Sequence, residues 1–521
     1  MKSMTERNIL AVDVGTSEVK AALVSHQGEI RDSARSPIGV LHPAPTWAEQ
    51  DPNAWWHAIC AAVRELWQHD PANRASVTGL VFSCQMFGVL PVDIDGKPLM
   101  NAMIWLDTRS RDQARQITHG FPKVSGYGLP RLLKWLRETN GAPNLAGRDT
   151  ISKFIWLREQ RPDVWARTHK LLDVKDYLLL RTTGRTVTTY DLASGGWLFR
   201  TKKGQLGWSK SILRMLDLDT SRLPEVIRST EVAGFLQEDA AADLRLAPGT
   251  PVIAGAGDVP SCAIGSGAVR DGEVHVCLGT SSWVAAHRSD RCVDPMSATG
   301  TLCAAELGKY ILIATQETAG VSMEWLRRNV IGEQFDYVAI NALVEETPPG
   351  AGGVFFFPWM MGERVPVDDS SIRGGFVNLS LDHEKGHLLR AVYEGVAYNN
   401  RWALGVVEKL LGSPVQNVRI TGGGAQSDVW CQIMADVLGL PVHRVANPQF
   451  CGVRGAALIA LRALGEISRL EDTGHLVEVT DSFEPRGEFR ALHDERFAAF
   501  RDFYKRNHSW YRRLNEGRKR K

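Results

Sequence analysis

One short sequence occurs twice, and the two copies lie 264 residues apart. GTSEVKAAL spans residues 15–23 and GTSSWVAAH spans residues 279–287, and they agree at five of nine positions. Each copy follows an apolar segment, ILAVDV or VHVCL. An apolar run, a Gly-hydroxyl turn and a second apolar run predict a strand–turn–strand hairpin. One hairpin near the start of each half predicts a duplicated α/β domain.

Composition excludes several classes of protein. The 521 residues are 44% hydrophobic and 23% charged, which excludes a disordered chain. A net charge of +2 gives no reason to expect a nucleic acid or a membrane surface as partner, and the basic end, GRKRK, is interpreted as a solvated tail. Eight cysteines without CxxC spacing predict reduced thiols. With neither an N-terminal apolar segment nor an apolar run of about 18–20 residues, we expect a cytoplasmic protein.

Strands and helices alternate along the chain, which is typical of an α/β fold. Apolar runs predict strands at 8–14, 19–25, 77–83 and 252–254, and apolar spacing predicts a helix over 51–68. Residues 110–170 are predicted to be mainly helical, and the polar, turn-rich stretch 352–373 is interpreted as a solvated loop. The charged, aromatic end is predicted to pack as helices on the second half.

The two hairpin turns are candidate phosphate sites. Gly-hydroxyl turns expose several backbone N–H groups, and such a concavity suits phosphate oxygens. A carboxylate at the end of the preceding strand, Asp13, can hold a hydrated Mg²⁺. Cys277 stands at the matching place in the second half. Ordinary hairpins are the alternative interpretation. The candidate turn residues are Gly15, Thr16 and Ser17, and Gly279, Thr280 and Ser281.

Two further glycine-rich stretches are candidate sites. Asp258 follows Gly255-Ala256-Gly257, where a carboxylate at a strand end could accept a proton, although Pro260 also makes it a candidate helix cap. In the second half, a predicted strand, three glycines and a helix at 428–438 could admit a base or a phosphate against bare backbone. A tight connection is the alternative, but three glycines exceed what a connection requires. These candidates are Gly422, Gly423, Gly424 and Gln426.

Loops of the first half carry residue types that bind sugars. Aromatic faces stack on sugar rings, and amides and carboxylates hold the hydroxyls. The candidates are Gln85, Met86, Phe87, Trp105 and Asp107.

Together and in this order, the motifs resemble the FGGY carbohydrate kinases, closest to xylulokinase-like members, over about residues 8–475. GGFVNLSLDHEKGHLLRAVYEGVAYNNR is similar to the family's C-terminal signature, and ITGGGAQSDVWCQIMADVLGLPV to its adenosine-binding segment. The resemblance implies two actin-like (ribonuclease H-like) ATPase domains with a catalytic cleft between them. We therefore expect an N-terminal sugar-binding domain at 1–252, a C-terminal nucleotide-binding domain at 253–480, and a helical extension with a basic tail at 481–521.

The resemblance also implies roles for the candidates. Asp258 would be the general base, and Asp13 with Asp258 would position Mg²⁺. The two turns would hold the phosphates of ATP, Gly422 to Gly424 with Gln426 would bind its adenosine part, and the first-half loops would bind the sugar. A small-molecule sugar or polyol is the expected partner, and a homodimer is a further expectation.

Three sugar-side positions depart from the xylulokinase pattern. Phe87 stands where an imidazole is typical, Val259 where an Asn follows the catalytic Asp, and the Asp of the segment 188–193 is displaced to position 191. A phenyl ring cannot hydrogen-bond a hydroxyl. The predicted activity is ATP-dependent phosphorylation of a hydroxyl of a small sugar or polyol, with a ketopentose as the first candidate. The alternatives are another polyol or an aldonate (a tetritol, glycerol or gluconate), or a non-catalytic actin-like regulator that binds sugar or nucleotide.

Overall fold

The first hairpin lies in a six-stranded mixed sheet. In the computed structural model, which describes residues 7–295, 297 and 299–515, this sheet consists of β1 (Asn8–Val14), β2 (Glu18–Ser25), β3 (Ile30–Pro37), β4 (Val77–Cys84), β5 (Val232–Phe235) and β6 (Pro251–Gly257). The order is β5-β6-β4-β1-β2-β3. β1 pairs antiparallel with β2 and parallel with β4, which pairs parallel with β6. The basic tail at 517–521 lies outside the described residues.

The second hairpin lies in an eight-stranded sheet. Its strands are β7 (Val274–Leu278), β8 (Ser282–Arg288), β9 (Val293–Asp294), β10 (Thr299–Cys303), β11 (Tyr310–Gln316), β12 (Val418–Thr421), β13 (Val442–Val445) and β14 (Val479–Phe483). The order is β9-β10-β11-β8-β7-β12-β13-β14. Its central part, β11-β8-β7-β12-β13, repeats the pairing of β3-β2-β1-β4-β6: two antiparallel pairs and then two parallel ones. The predicted pair of α/β domains is confirmed.

Short strands form two-stranded pairs around the sheets: Glu49–Gln50 with Ala102–Met103, Leu90–Val92 with Lys170–Leu172, Lys123–Val124 with Tyr127–Gly128, Val187–Thr189 with Glu225–Ile227, Phe199–Arg200 with Gly207–Trp208, and Phe355–Phe357 with Gly375–Val377.

Helices cover the sheets. In chain order they are α1 (Pro52–His69), α2 (Asn73–Ser76), α3 (Arg111–Thr118), α4 (Leu129–Thr139), α5 (Thr150–Gln160), α6 (Pro162–Arg167), α7 (Val174–Thr183), α8 (Tyr190–Gly195), α9 (Lys210–Leu216), α10 (Glu238–Leu244), α11 (Asp258–Gly265), α12 (Gly320–Leu326), α13 (Tyr337–Glu346), α14 (Lys385–Leu411), α15 (Asp428–Leu438), α16 (Cys451–Ala463) and α17 (Arg490–Asn515).

Two helices connect the halves of the molecule. α11 leaves the first sheet and α16 leaves the second, and they cross backbone against backbone. A Cβ atom on Gly265 would lie 1.9 Å from the carbonyl oxygen of Cys451, and one on Gly455 would lie 1.8 Å from that of Ser261. α16 also buries Val453 in one apolar cluster with residues of the first sheet, including Ile253. The second half is therefore anchored on the first through α16.

Most predicted elements are confirmed. Asp51 caps α1 by accepting a hydrogen bond from the N–H of Asn53, and Pro52 is its first residue, as the Asp-Pro pair predicts. α17 packs on the second half through the fully buried Phe500. β6 belongs to the first sheet as a whole, so the predicted division after residue 252 falls inside a strand. All eight cysteines are free thiols. In the described part of the chain, no helix is both long and apolar enough to cross a membrane.

Candidate active site

Each hairpin turn closes on a hydrogen bond donated by its glycine, and the second turn is one residue tighter than the first. The N–H of Gly15 donates to the carbonyl of Glu18, and the N–H of Gly279 donates to the carbonyl of Ser281, each at 3.0 Å. Thr16 is half-buried, whereas Ser17 and Thr280 are exposed. The carbonyl of Gly279 also accepts from the N–H of Gly320 at 2.9 Å. Turns that follow a central strand and expose hydroxyl residues such as Ser17 and Thr280 have the chemistry expected of phosphate-binding loops.

Asp13 lies at the carboxyl end of β1, across from Lys20, which is not among the predicted site residues. One Asp13 carboxyl oxygen accepts from the hydroxyl of Ser83 at 2.8 Å. Lys20 is its partner across the β1–β2 hairpin, and the Lys20 ammonium lies 3.2 Å from a Glu18 carboxyl oxygen. Burial raises the pKa of Asp13, while the Lys20 charge and the Ser83 hydrogen bond oppose that rise. The hairpin register alone points to Lys20, since residues paired across it share a face.

The start of α16 approaches Asp13 from the second half. A Cβ atom on Gly452 would lie 2.9 Å from an Asp13 carboxyl oxygen. Cys277, the counterpart of Asp13 in the repeat, lies beside Cys262 of α11. Asp13 and its counterpart therefore both lie where α11 and α16 cross.

Asp258 is the first residue of α11, at the end of β6. Its carboxyl accepts from the N–H of Val259 at 2.8 Å. Burial, followed by the charge of Asp13, raises the pKa of Asp258 to about 7. Met86 packs against the preceding residue, since a Cβ atom on Gly257 would lie 2.5 Å from Met86 Cγ. The structure thus brings Asp13 and Asp258 within electrostatic reach of each other, and a carboxyl with a pKa near neutrality suits a proton acceptor.

Gln85 and Trp105 are hydrogen-bonded to the first hairpin turn. The Gln85 amide donates to the carbonyl of Gly15 at 3.2 Å and to Gln50 Oε1 at 2.7 Å. The Trp105 indole N–H donates to Thr16 Oγ1 at 2.9 Å. Two predicted sugar-side residues and the predicted phosphate turn therefore form one hydrogen-bonded unit.

Phe87 has a left-handed backbone, with φ of 68°. Its N–H donates to an Asp173 carboxyl oxygen and its carbonyl accepts from the Lys153 ammonium, each at 3.0 Å. The ring lies against α8, where a Cβ atom on Gly195 would be 2.7 Å from Phe87 Cε1. Both backbone polar groups of Phe87 are thus fixed by the side chains of Asp173 and Lys153.

Asp107 is fully buried in an ion-pair network. It accepts from the N–H of Ala48 at 2.8 Å and from Arg109 Nε at 2.9 Å, and Arg109 also reaches Glu49 at 2.7 Å. The Arg109 guanidinium stacks 3.6 Å from the centroid of the Trp47 ring. The structure therefore encloses the Asp107 carboxylate, unlike the half-buried Trp105.

The glycine segment of the second half packs against the end of β7. Gly422 has φ of 91°, and a Cβ atom there would lie 2.5 Å from the carbonyl oxygen of Leu278. One on Gly424 would lie 2.6 Å from Leu278 Cγ. Gly423 and Gln426 are exposed, and the Gln426 amide donates to the carbonyl of Gly423 at 3.2 Å. Close packing accounts for two of the glycines, and the exposed pair leaves bare backbone at the surface.

The carboxylates fit a hydrated metal better than a protein cage. Among residues 7–295, 297 and 299–515, no group of three His, Cys, Asp or Glu side chains could enclose a metal ion. Mg²⁺ commonly keeps several waters and takes one or two carboxylates together with substrate phosphates. Asp13 and Asp258 match that donor set.

Comparisons with known proteins agree with this architecture. The sequence model for the N-terminal domain of the FGGY family of carbohydrate kinases matches residues 8–265, and that for its C-terminal domain matches residues 274–464. The chain is 28% identical over 503 residues to a xylulose kinase of Staphylococcus epidermidis, covering 96% of this chain and 97% of that protein. It is 25% identical over 489 residues to a gluconokinase of Bacillus licheniformis, covering 92% of each.

A solved structure of xylulose kinase from Rhodospirillum rubrum superimposes with a TM-score of 0.82 at 26% identity, covering 97% of this chain and 100% of that one. The two family domains together span most of the 521 residues. The chain belongs to the FGGY family of carbohydrate kinases and is a sugar phosphotransferase.

Proposed function

We propose that this enzyme transfers the γ-phosphoryl group of ATP to a hydroxyl of a small sugar or polyol, with Asp258 as the base. The observation that carries the proposal is the place of Asp258. It begins the helix that crosses α16, it lies within reach of the Asp13 charge, and its loop packs on Met86. These contacts support a position of Asp258 between the strand end that carries Asp13 and the predicted sugar loop that carries Met86.

The reaction balances without a further reactant. The substrate hydroxyl oxygen forms a bond to the γ-phosphorus, and the bond from that phosphorus to the β–γ bridging oxygen breaks. The hydroxyl proton passes to Asp258 and then to water, and ADP leaves. Such a transition state is loose, so positioning and charge neutralisation matter more than base strength.

Backbone N–H groups of the two turns would hold the phosphates, with the Lys20 ammonium beside the first turn. Asp13 and Asp258 would hold hydrated Mg²⁺, which neutralises phosphate charge when bound. The exposed backbone at Gly423 and Gln426 would meet the adenosine part of ATP.

A ketopentose is the first substrate candidate, because the curated relatives include several xylulose kinases. Gluconokinases among the relatives favour an aldonate as the second candidate. Phe87 and Val259 present apolar groups on the sugar side, which favours a substrate with fewer hydroxyls there. A non-catalytic regulator is disfavoured because both Asp13 and Asp258 are present. A homodimer and a cytoplasmic location stay predictions.

The test is release of ADP from Mg-ATP across ketopentoses, tetritols, hexitols, glycerol and aldonates. We expect one strong responder, and we expect Asp258→Asn to lower its kcat by at least about 10³-fold while ATP still binds. Asp239→Asn, at an exposed carboxylate of α10, is the matched control with normal turnover. Near-normal kcat in Asp258→Asn would remove the base role. Silence of the wild-type enzyme on every compound, with ATP bound, would favour the regulator.

A further inference from the structure

Asp191 is a buried carboxylate outside the roles described so far. It lies in the first turn of α8 and has no solvent exposure. One of its oxygens accepts from the N–H of Gly257 at 2.7 Å, and the other accepts from the hydroxyl of Ser229 at 2.9 Å. A carboxylate is costly to bury, so a position that retains one calls for a reason.

Asp191 accepts from the backbone N–H of Gly257, the residue directly before Asp258. Gly257 ends β6, and Asp258 begins α11 at the next residue. Glycines place few limits on their own backbone. Gly255 has φ of 66° and donates its N–H to the carbonyl of Ser229 at 3.1 Å. The loop that presents Asp258 is therefore fixed from outside, by Asp191 and by the 229 segment.

α8 also contacts the sugar-side loop and the second half. The Phe87 ring packs against Gly195, and the Ser194 hydroxyl accepts from the N–H of Cys303 in β10 at 3.1 Å. One short helix thus joins the Asp258 loop, the Phe87 loop and the second sheet.

We infer that Asp191 is a positioning residue that fixes the direction in which Asp258 enters the cleft. The inference rests on the proposed role of Asp258 as base. Without the Gly257 hydrogen bond, the carboxylate of Asp258 would move relative to the substrate hydroxyl. A displacement of about 1 Å at a reacting group can cost about 10²-fold in rate. Binding of ATP and of sugar would change little, because the two Asp191 hydrogen bonds go to Gly257 and Ser229, which are not among the predicted binding residues.

The first experiment compares Asp191→Ala with Asp191→Asn. Alanine removes the acceptor, whereas the asparagine oxygen can still accept from Gly257 and its NH₂ can donate to Ser229. We expect Asp191→Ala to lower kcat about 10²-fold with KM for ATP and for sugar within about threefold. We expect Asp191→Asn to restore kcat to within about fivefold of wild type. Asp239→Ala, at the exposed position in α10, serves as the unchanged control.

The second experiment is a double-mutant cycle with Asp258→Asn. If Asp191 acts through Asp258, Asp191→Ala lowers the residual kcat of Asp258→Asn by less than about twofold. The inference would be overturned if the kcat reductions of the two single variants multiplied in the double variant. Full activity in Asp191→Ala, or a folded but inactive Asp191→Asn, would also overturn it.

Failure of the proposed function is distinguishable, because there Asp258→Asn itself would turn over normally. Should Asp191→Ala melt below the assay temperature, Asp191→Glu takes its place. Its carboxylate is one methylene longer and displaces the Gly257 bond while keeping the charge, so the same loss of kcat is expected.

Discussion

At the residue scale, Phe87 gives the sharpest test of the sugar side. Its left-handed backbone conformation costs about 1–2 kcal/mol. The hydrogen bonds from Phe87 N–H to Asp173 and from the Lys153 ammonium to the Phe87 carbonyl involve only backbone atoms of Phe87. The side chain can therefore change without moving the loop, and histidine tolerates this conformation better than most residues. We predict that Phe87→His raises kcat/KM for D-xylulose about tenfold relative to a tetritol or an aldonate, because imidazole can hydrogen-bond a hydroxyl.

The measurement is kcat/KM for both substrates in parallel on one preparation. Phe121→His, at a ring that is 89% exposed, is the control with an unchanged ratio. If Phe87→His melts like the wild type and the ratio does not move, the ring does not line the sugar pocket.

The residue types of the candidate site were predictable, but their contacts were not. The sequence gives no means to distinguish the half-buried Trp105 from Asp107, whose carboxylate is enclosed by Arg109 and the N–H of Ala48. That enclosure depends on a segment about sixty positions away. The sequence indicates only that Asp191 is displaced from the family pattern, because its partner, Gly257, is distant along the chain.

At the element scale, the crossing of α11 and α16 depends on glycine. A Cβ atom on Gly455 would lie 1.8 Å from the carbonyl oxygen of Ser261, a backbone atom that cannot rotate away. We predict that Gly455→Ala lowers the free energy of unfolding by about 2–4 kcal/mol, measured by urea denaturation.

Gly405 provides the matched control, since it is an exposed glycine inside α14 with open space around its Cα. Gly405→Ala should be neutral or stabilise by about 0.5–1 kcal/mol through helix propensity. Equal changes in the free energy of unfolding at the two positions would show that helix propensity, and not close packing at the helix crossing, determines the effect of Gly455→Ala.

Elements with strong local signals were predictable. The β1–β2 hairpin follows from its apolar runs and turn, and α1 follows from Asp51-Pro52 and its apolar spacing. The polar, turn-rich composition of residues 352–373 predicts a solvated loop, and this prediction is wrong: Glu363 is 3% exposed and hydrogen-bonded to Asn399. A polar, turn-rich composition indicates exposure only when distant segments do not cover it.

At the scale of the whole molecule, a nine-residue repeat predicted two domains of one topology, and the shared strand order confirms it. Local patterns carried no information on how the halves join. They join through α16 and through a buried charge cluster, in which Arg148 of the first half forms an ion pair with Glu317 of the second. Arg364 Nε lies 2.9 Å from the same Glu317 oxygen, and Glu363 accepts from the N–H of Glu317 at 3.0 Å.

That cluster makes stability depend on pH. Burial, followed by the charge of Glu317, raises the pKa of Glu363 from 4.5 to about 8. Between those values the folded chain keeps a proton that the unfolded chain has released, so stability falls as pH rises, by up to about 1.4 kcal/mol per pH unit.

Glu363→Gln keeps an acceptor for the N–H of Glu317 and does not titrate. Its melting temperature should equal that of the wild type at pH 5 and exceed it at pH 9, whereas Glu345→Gln, at an exposed position in α13, should follow the wild type throughout. A wild-type advantage at pH 9 would mean that Glu363 is ionised in the fold and stabilised by the two arginines.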